Sequence, residues 1–182
     1  MDLALEAVAG LRAKIPGIEF HIYGRRTAYM SEMDGLIARL GLQEVIRCPG
    51  FAPWEDVDAA LCRALCLVLP SEREGYGLVV VEAAARGTPA IVVRAADNAA
   101  TELVEHMENG IVVDSAAPQA LAAAIDQVYA ARPLLTRRTR AWFATHAAHL
   151  TLDATVNQLE ALYGTLLHSR CPSPCKSFDV AR

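Results

Sequence analysis

The sequence predicts an α/β fold built on a doubly wound parallel sheet. Residues 64–69, 89–93 and 110–113 are continuously apolar, the character of strands buried on both faces of a parallel sheet. Segments with helical periodicity lie between them and supply the crossovers that parallel strands require. Ligands in such sheets bind beyond the carboxyl ends of the strands, so functional residues are sought there.

Leu3, Ala4, Ala7, Val8 and Leu11 recur at helical spacing, and Pro16-Gly17 ends that helix and turns the chain. Residues 18–23 alternate with β-branched and aromatic side chains and run into Gly24-Arg25-Arg26, which reads as a strand and a tight turn. A helix over residues 31–40 stops at Gly41. A short strand over 45–48 ends at Pro49-Gly50, and Pro53-Trp54-Glu55-Asp56 opens a helix with carboxylates in its positively polarised first turn. Beyond the third apolar run the pattern is helical, over residues 118–131, 136–146 and 152–167. Residues 169–182, rich in Pro and Ser, predict a disordered tail.

With 53 % hydrophobic and 21 % charged residues, the 182-residue chain has the makings of one sizeable core. A net charge of −4 without a run of Lys or Arg gives no electrostatic footprint for nucleic acid or an anionic membrane. No apolar stretch reaches the roughly 20 residues of a spanning helix, and the first helix is acidic and amphipathic rather than a signal segment. A soluble, cytoplasmic protein is therefore expected. The five Cys are an odd number; Cys48, Cys62 and Cys66 lie in apolar surroundings, and Cys171 and Cys175 flank Pro-Ser-Pro, so no complete disulfide framework is expected. Cys171-x3-Cys175 has the form of half a metal site, but no second Cys or His pair at ligand spacing follows it, so reduced thiols on a loose tail are expected.

Chemistry is concentrated in residues 70–89, which join the most apolar strand to a helix through a Gly-containing loop. The first-turn N–H groups of such a helix lack intrahelical partners, and together with the helix dipole they favour an anion such as a diphosphate. Gly75 and Gly77 omit Cβ atoms where a sugar or phosphate would press on the backbone, and Tyr76 between them is placed to pack behind the loop. Glu74 stands just before the loop. Glu82 lies one turn inside the helix with Leu78 and Val79 beneath it, so two carboxylates bracket the phosphate site.

Pro70-Ser71, Glu74, Gly75-Tyr76-Gly77 and Glu82, with seven residues between the two glutamates, resemble the donor-domain pattern of glycosyltransferase family 4. The resemblance covers residues 3–167: the strand ending in Gly24, the Pro49-Gly50-Phe51 turn, Gly87-Thr88-Pro89, residues 98–104 and Asn109-Gly110 fall in order. It implies a Rossmann-like nucleotide-sugar-binding domain over residues 1–168, the donor-binding half of a retaining GT-B enzyme that transfers a hexose. It implies that Glu74 is catalytic and contacts donor-sugar hydroxyls, and that Glu82 accepts hydrogen bonds from the ribose. The N–H groups of Gly77, Leu78 and Val79 would hold the diphosphate, with Gly75 and Tyr76 completing the donor site. No metal or other cofactor is implied, and the donor is a UDP-, GDP- or ADP-sugar.

Complete members of that family carry a second Rossmann-like domain for the acceptor, and a basic pair on a loop after the first donor strand. This chain shows neither, and Arg25 and Arg26 follow a different strand. Alone it is expected to be an incomplete, inactive fragment that needs an acceptor domain or partner chain, with peripheral membrane association in the complete enzyme. The family's last helix crosses to the absent domain, which implies partial exposure of Leu159, Leu162, Leu166 and Leu167 and a surface for a second copy. A non-catalytic or degenerate nucleotide-sugar-binding or interaction module is the alternative. A two-domain sugar-nucleotide epimerase has a similar half, and the Glu74–Glu82 motif argues against it.

Asp56-Val57-Asp58 has the form of a metal-binding Asp-x-Asp, but it falls in a helical first turn where Asp is favoured in any case. His21 sits in a strand, and His106, His146, His149 and His168 are scattered over helices without a carboxylate or Cys at catalytic spacing. No P-loop, dinucleotide fingerprint or nucleophile elbow occurs.

Overall fold

The computed structural model describes residues 1–25 and 28–169. Arg26, the Cys171 and Cys175 pair, the tail beyond Ser169 and the side chains of Leu167 and His168 lie outside the described residues. The chain divides into two compact units, Met1–Ala144 and a second from Thr145 onward.

The elements in order are α1 (Asp2–Leu11), β1 (Phe20–Tyr23), α2 (Ala28–Arg39), β2 (Ile46–Gly50), α3 (Trp54–Arg63), β3 (Leu67–Leu69), β4 (Arg73–Glu74) and α4 (Leu78–Ala85). They continue with β5 (Ala90–Val93), β6 (Asp97–Asn98), β7 (Gly110–Val113), α5 (Pro118–His146) and α6 (Leu152–Ser169), with 3-10 turns at Ala99–Leu103 and Ala147–His149. Every strand pairing is parallel: β1 with β2, β3 with β5 and β5 with β7, and the short β4 with β6. The expected α/β, parallel, Rossmann-like architecture is present.

Helix α1 ties the larger unit together because its apolar residues form two adjacent stripes. Ala4, Ala7 and Leu11 join Ile91, Val93, Ile111, Val113, Leu121 and Val128 in one cluster. Leu5 and Val8 join Met33, Leu36, Ile37, Leu42, Val45 and Ile46 in another. Leu5 has no exposed surface, and burying such a side chain contributes about 1.5–3 kcal/mol. Strand β5 is buried at all four positions, as its unbroken Ala-Ile-Val-Val requires.

Several boundaries differ from expectation for identifiable reasons. Only Leu67–Leu69 of the apolar run 64–69 is strand, because α3 extends to Arg63 and the Ala64 N–H still bonds back to Ala60 and Leu61. β2 runs on through Pro49 to Gly50, whose carbonyl accepts from the Gly24 N–H at 3.0 Å. The two helices expected around Pro133 are one continuous α5. Its buried stripe of Leu121, Ala124, Ile125, Val128, Leu135, Thr139 and Trp142 keeps helical spacing across the proline, and that packing outweighs the lost backbone hydrogen bond. His106 lies in a bridge to Gly110 rather than on a helix.

Candidate functional site

The carboxyl ends of β3 and β5 lead into two short segments that the sequence reading missed. β4 and β6 pair over two residues each, placing Arg73 opposite Asp97 and Glu74 opposite Asn98. An ion pair of 3.2 Å between Arg73 and Asp97 lies at the exposed end of this bridge. Two-residue strands carry no periodicity, so no pattern in the sequence could have announced them.

Asn98 organises the loop from beneath. It is 3 % exposed; its Nδ2 donates to the Val93 carbonyl at 2.7 Å and to the Ser71 carbonyl at 2.8 Å. Its Oδ1 accepts from the Ala100 N–H at 3.1 Å and so caps the 3-10 turn that follows. One buried amide thereby ties the end of β5 to the β3–β4 connection and to the turn behind α4. The resemblance marked residues 98–104 only as a landmark; Asn98 itself went unrecognised.

Gly77 is the N-cap of α4, at φ 88°, and no side chain caps that end. The Val80 N–H is bonded to the Gly77 carbonyl at 2.8 Å, so the Leu78 and Val79 N–H groups are the ones left at the helix terminus. The glycines were expected to make room for a ligand, and the structure divides that role. A Cβ on Gly77 would collide with the Ala100 side chain at 2.6 Å, so Gly77 is demanded by the fold itself. A Cβ on Gly75 would meet open space, which leaves Gly75 facing outward. Tyr76 was expected behind the loop; it is instead 44 % exposed, because Ala100 and Val80 already fill the space beneath Gly77.

Glu74 and Glu82 are partly exposed, and neither carboxylate has a hydrogen-bond or ion-pair partner among the described residues. Leu78 is 67 % exposed at the first position of α4. The uncapped N-terminus of α4 lies beyond the carboxyl end of β3, with Glu74 three residues before its N-cap and Glu82 in its second turn. Two surface clefts lie elsewhere, one of about 440 Å³ lined by His21, Tyr23 and Arg47, the other of about 300 Å³ beside β7.

Asp58 of the Asp-x-Asp sequence is engaged with the Arg86 guanidinium, which also lies 5.5 Å from the Trp54 ring centre. Among the described residues no group of three His, Cys, Asp or Glu side chains is arranged to hold a metal ion. His21 Nε2 lies 3.1 Å from Glu19, and this hydrogen bond, with Arg47 also near, holds the Glu19 carboxyl below its ordinary value. Among the described residues no helix is long and apolar enough to cross a membrane.

Residues 1–142 match the family of glycosyl transferases group 1. The chain belongs to this family. It is 30 % identical over 179 residues to a D-inositol 3-phosphate glycosyltransferase of Segniliparus rotundus, covering 97 % of this chain and 39 % of that protein. A relative of the same name from Geodermatophilus obscurus is 35 % identical over 173 residues, covering 89 % of this chain and 36 % of its own length. The chain thus spans less than two fifths of each of these group 1 relatives.

Solved structures share the fold. Anabaena HepE in complex with UDP superposes with a TM-score of 0.77 at 23 % identity, covering 90 % of this chain and 44 % of that one. Sucrose-phosphate synthase from Thermosynechococcus elongatus gives 0.73 at 26 %, covering 92 % and 43 %. The C-terminal domain of a group 1 glycosyltransferase, LpcC of Francisella tularensis, gives 0.70 at 22 %, covering 79 % of this chain and 77 % of that domain. The group 1 chain described here accordingly has the architecture of a Rossmann-like half of a GT-B glycosyltransferase.

Proposed function

We propose that this chain is the donor-binding half of a retaining, family 4-like glycosyltransferase that uses a nucleotide diphosphate-sugar. The observation that carries the reading is the run of Glu74, Gly75 and the uncapped N-terminus of α4, with Glu82 in the second turn of that helix. The Leu78 and Val79 N–H groups supply electrostatic stabilisation as negative charge develops on the departing diphosphate. The Glu74 carboxylate accepts from sugar hydroxyls and the Glu82 carboxylate from the ribose, each such bond to a charged group contributing about 1.5–3 kcal/mol. Neither role requires a metal.

The group 1 relatives are named as transferases acting on D-inositol 3-phosphate, and the HepE structures hold UDP or UDP-glucose. Those names support a hexosyl donor, and UDP is the nucleotide to try first among UDP, GDP and ADP. A separate acceptor domain or partner chain supplies the acceptor and the positive charge facing the diphosphate. Turnover is expected only with that half present, in keeping with the share of the relatives that this chain spans.

Calorimetric titration of the chain with UDP, GDP and ADP, then with the matching sugar nucleotides, tests the reading. Glu82→Ala is expected to weaken nucleotide binding roughly tenfold to a hundredfold. Glu74→Gln is expected to spare the free diphosphate and weaken only the sugar nucleotide. Identical titrations of wild type and folded Glu82→Ala against every nucleotide would remove the assignment.

A further inference from the structure

Helix α5 holds four arginines within nine residues, Arg132, Arg137, Arg138 and Arg140, against a single carboxylate, Asp126. Lys14 engages Asp126, and Arg138 is engaged by Glu108 and the Met107 carbonyl. Arg132, Arg137 and Arg140 are exposed, and among the described residues none of them has a carboxylate partner. Elsewhere Arg47, Arg73, Arg86 and Arg94 each face one. The expectation that no anionic surface would be bound rested on a net charge of −4, which conceals this face because the excess carboxylates lie on other elements.

Packing gathers these side chains with the ends of two other helices. Arg132 Nη2 donates to the carbonyl of Arg63, the last residue of α3, at 3.4 Å. Arg63 is likewise exposed without a carboxylate partner among the described residues. A Cβ on Gly87, just beyond α4, would stand 2.6 Å from Arg140 Cγ, so the Arg140 stem crosses that helix end. At about 100° per residue, Arg137 and Arg140 fall with Ala130 and Pro133 on the side of α5 opposite the buried Val128, Leu135 and Trp142. Arg132 and Leu134 flank that side. Tyr129 and Leu134 are 42 % and 39 % exposed, so the unneutralised guanidiniums are interleaved with apolar side chains.

We propose that this face of α5, with Arg63 beside it, is a docking surface for an anionic lipid bilayer. Its charge complements lipid phosphates, whose oxygens accept from the forked donors of a guanidinium. Tyr129 and Leu134 suit the boundary between headgroups and acyl chains, where an apolar or aromatic side chain gains while a neighbouring arginine keeps its charge in the headgroup layer. The same apolar residues decide against nucleic acid, whose phosphates offer Leu134 and Pro133 nothing to bury against. The surface lies within Met1–Ala144 and uses neither Glu74 nor Glu82, so it stands apart from the donor reading.

Co-sedimentation of the full chain with vesicles tests the surface. Binding is expected to vesicles of phosphatidylglycerol and phosphatidylcholine in equal parts, not to phosphatidylcholine alone, and to fall as salt rises from about 0.05 to 0.5 M. Combining Arg132→Gln, Arg137→Gln and Arg140→Gln is expected to weaken it on the order of 100-fold. Combining Arg47→Gln, Arg73→Gln and Arg94→Gln removes as much positive charge elsewhere and is expected to leave it largely intact. Unfolding midpoints verify that both triple variants are folded. Leu134→Ser is expected to weaken binding at every salt concentration, because its contribution is burial rather than charge. No binding to the anionic vesicles, equal binding to phosphatidylcholine alone, or equal losses in the two triple variants overturns the proposal. So does vesicle binding untouched by Leu134→Ser together with poly-glutamate binding that the α5 triple variant abolishes, which would assign the face to an acidic protein.

Discussion

A Cβ built on Gly77 would stand 2.6 Å from the Cβ of Ala100, and Gly77 holds φ 88°. The first turn of α4 is therefore positioned by contact with the 3-10 turn Ala99–Leu103, and the glycine is required twice, for space and for backbone conformation. Gly77→Ala is expected to lower stability by about 2–4 kcal/mol, combining overpacking of about 1–3 kcal/mol with about 1 kcal/mol of left-handed strain. Adding Ala100→Gly should return only the packing part. Urea unfolding of the single and double variants reads both values, and a Gly77→Ala protein as stable as wild type would refute the contact.

Asn98 is the second support of the loop. Asn98→Ala leaves the buried carbonyl of Val93 and the part-buried carbonyl of Ser71 without their donor, at about 1–3 kcal/mol for the buried one and less for the other. Asn98→Asp is expected to be worse, since it sets a charged acceptor against two carbonyls. The check is unfolding free energy together with hydrogen exchange across residues 71–77. Faster exchange confined to that segment identifies Asn98 as the tie; unchanged exchange there removes its positioning role.

Much of this architecture was legible because burial on both faces leaves an unbroken apolar run. Residues 110–113 were read at their observed bounds, and 89–93 within one residue. Helix α1 was legible from Leu3, Ala4, Ala7, Val8 and Leu11, although Leu3 is exposed and the sequence did not show that Val8 packs with Leu5, absent from that reading, in a second stripe toward α2. What escaped notice depends on contacts distant in sequence. Asn98 reaches Ser71 across 27 positions, and the β4–β6 bridge exists only once those segments meet. The glycines of the loop were found, but Gly77 was credited to a ligand because Ala100 is invisible as its neighbour until the chain folds.

Asp58 answers to Arg86 rather than to a metal. The guanidinium bonds the Asp58 carboxylate and lies 5.5 Å from the Trp54 ring centre, joining α3 to the carboxyl end of α4. Asp58→Asn is expected to cost about 0.5–1 kcal/mol, less in high salt, and Trp54→Leu a similar amount. A double-mutant cycle on Asp58 and Arg86 measures the coupling. Mn²⁺ added to wild type is expected to leave the unfolding midpoint unchanged; a raised midpoint that Asp58→Asn abolishes would restore the metal reading.

Burial of the Cys66 thiol pushes its pKa from 9.0 up to about 12. The folded chain therefore retains the proton after the unfolded chain has released it. The resulting contribution to stability is complete below 9.0 and is lost as pH rises toward about 12. Within that window this one group lowers stability by up to about 1.4 kcal/mol per pH unit. Cys66→Ala removes the titration while keeping a small apolar side chain, so its stability should fall less steeply than that of wild type between about pH 8 and 10. The slope is the readout, because the cavity left by alanine lowers stability equally at each pH. Parallel curves would mean that the thiol ionises as readily in the folded chain as in the unfolded one, and rapid alkylation of Cys66 in the native protein near pH 9 would point the same way.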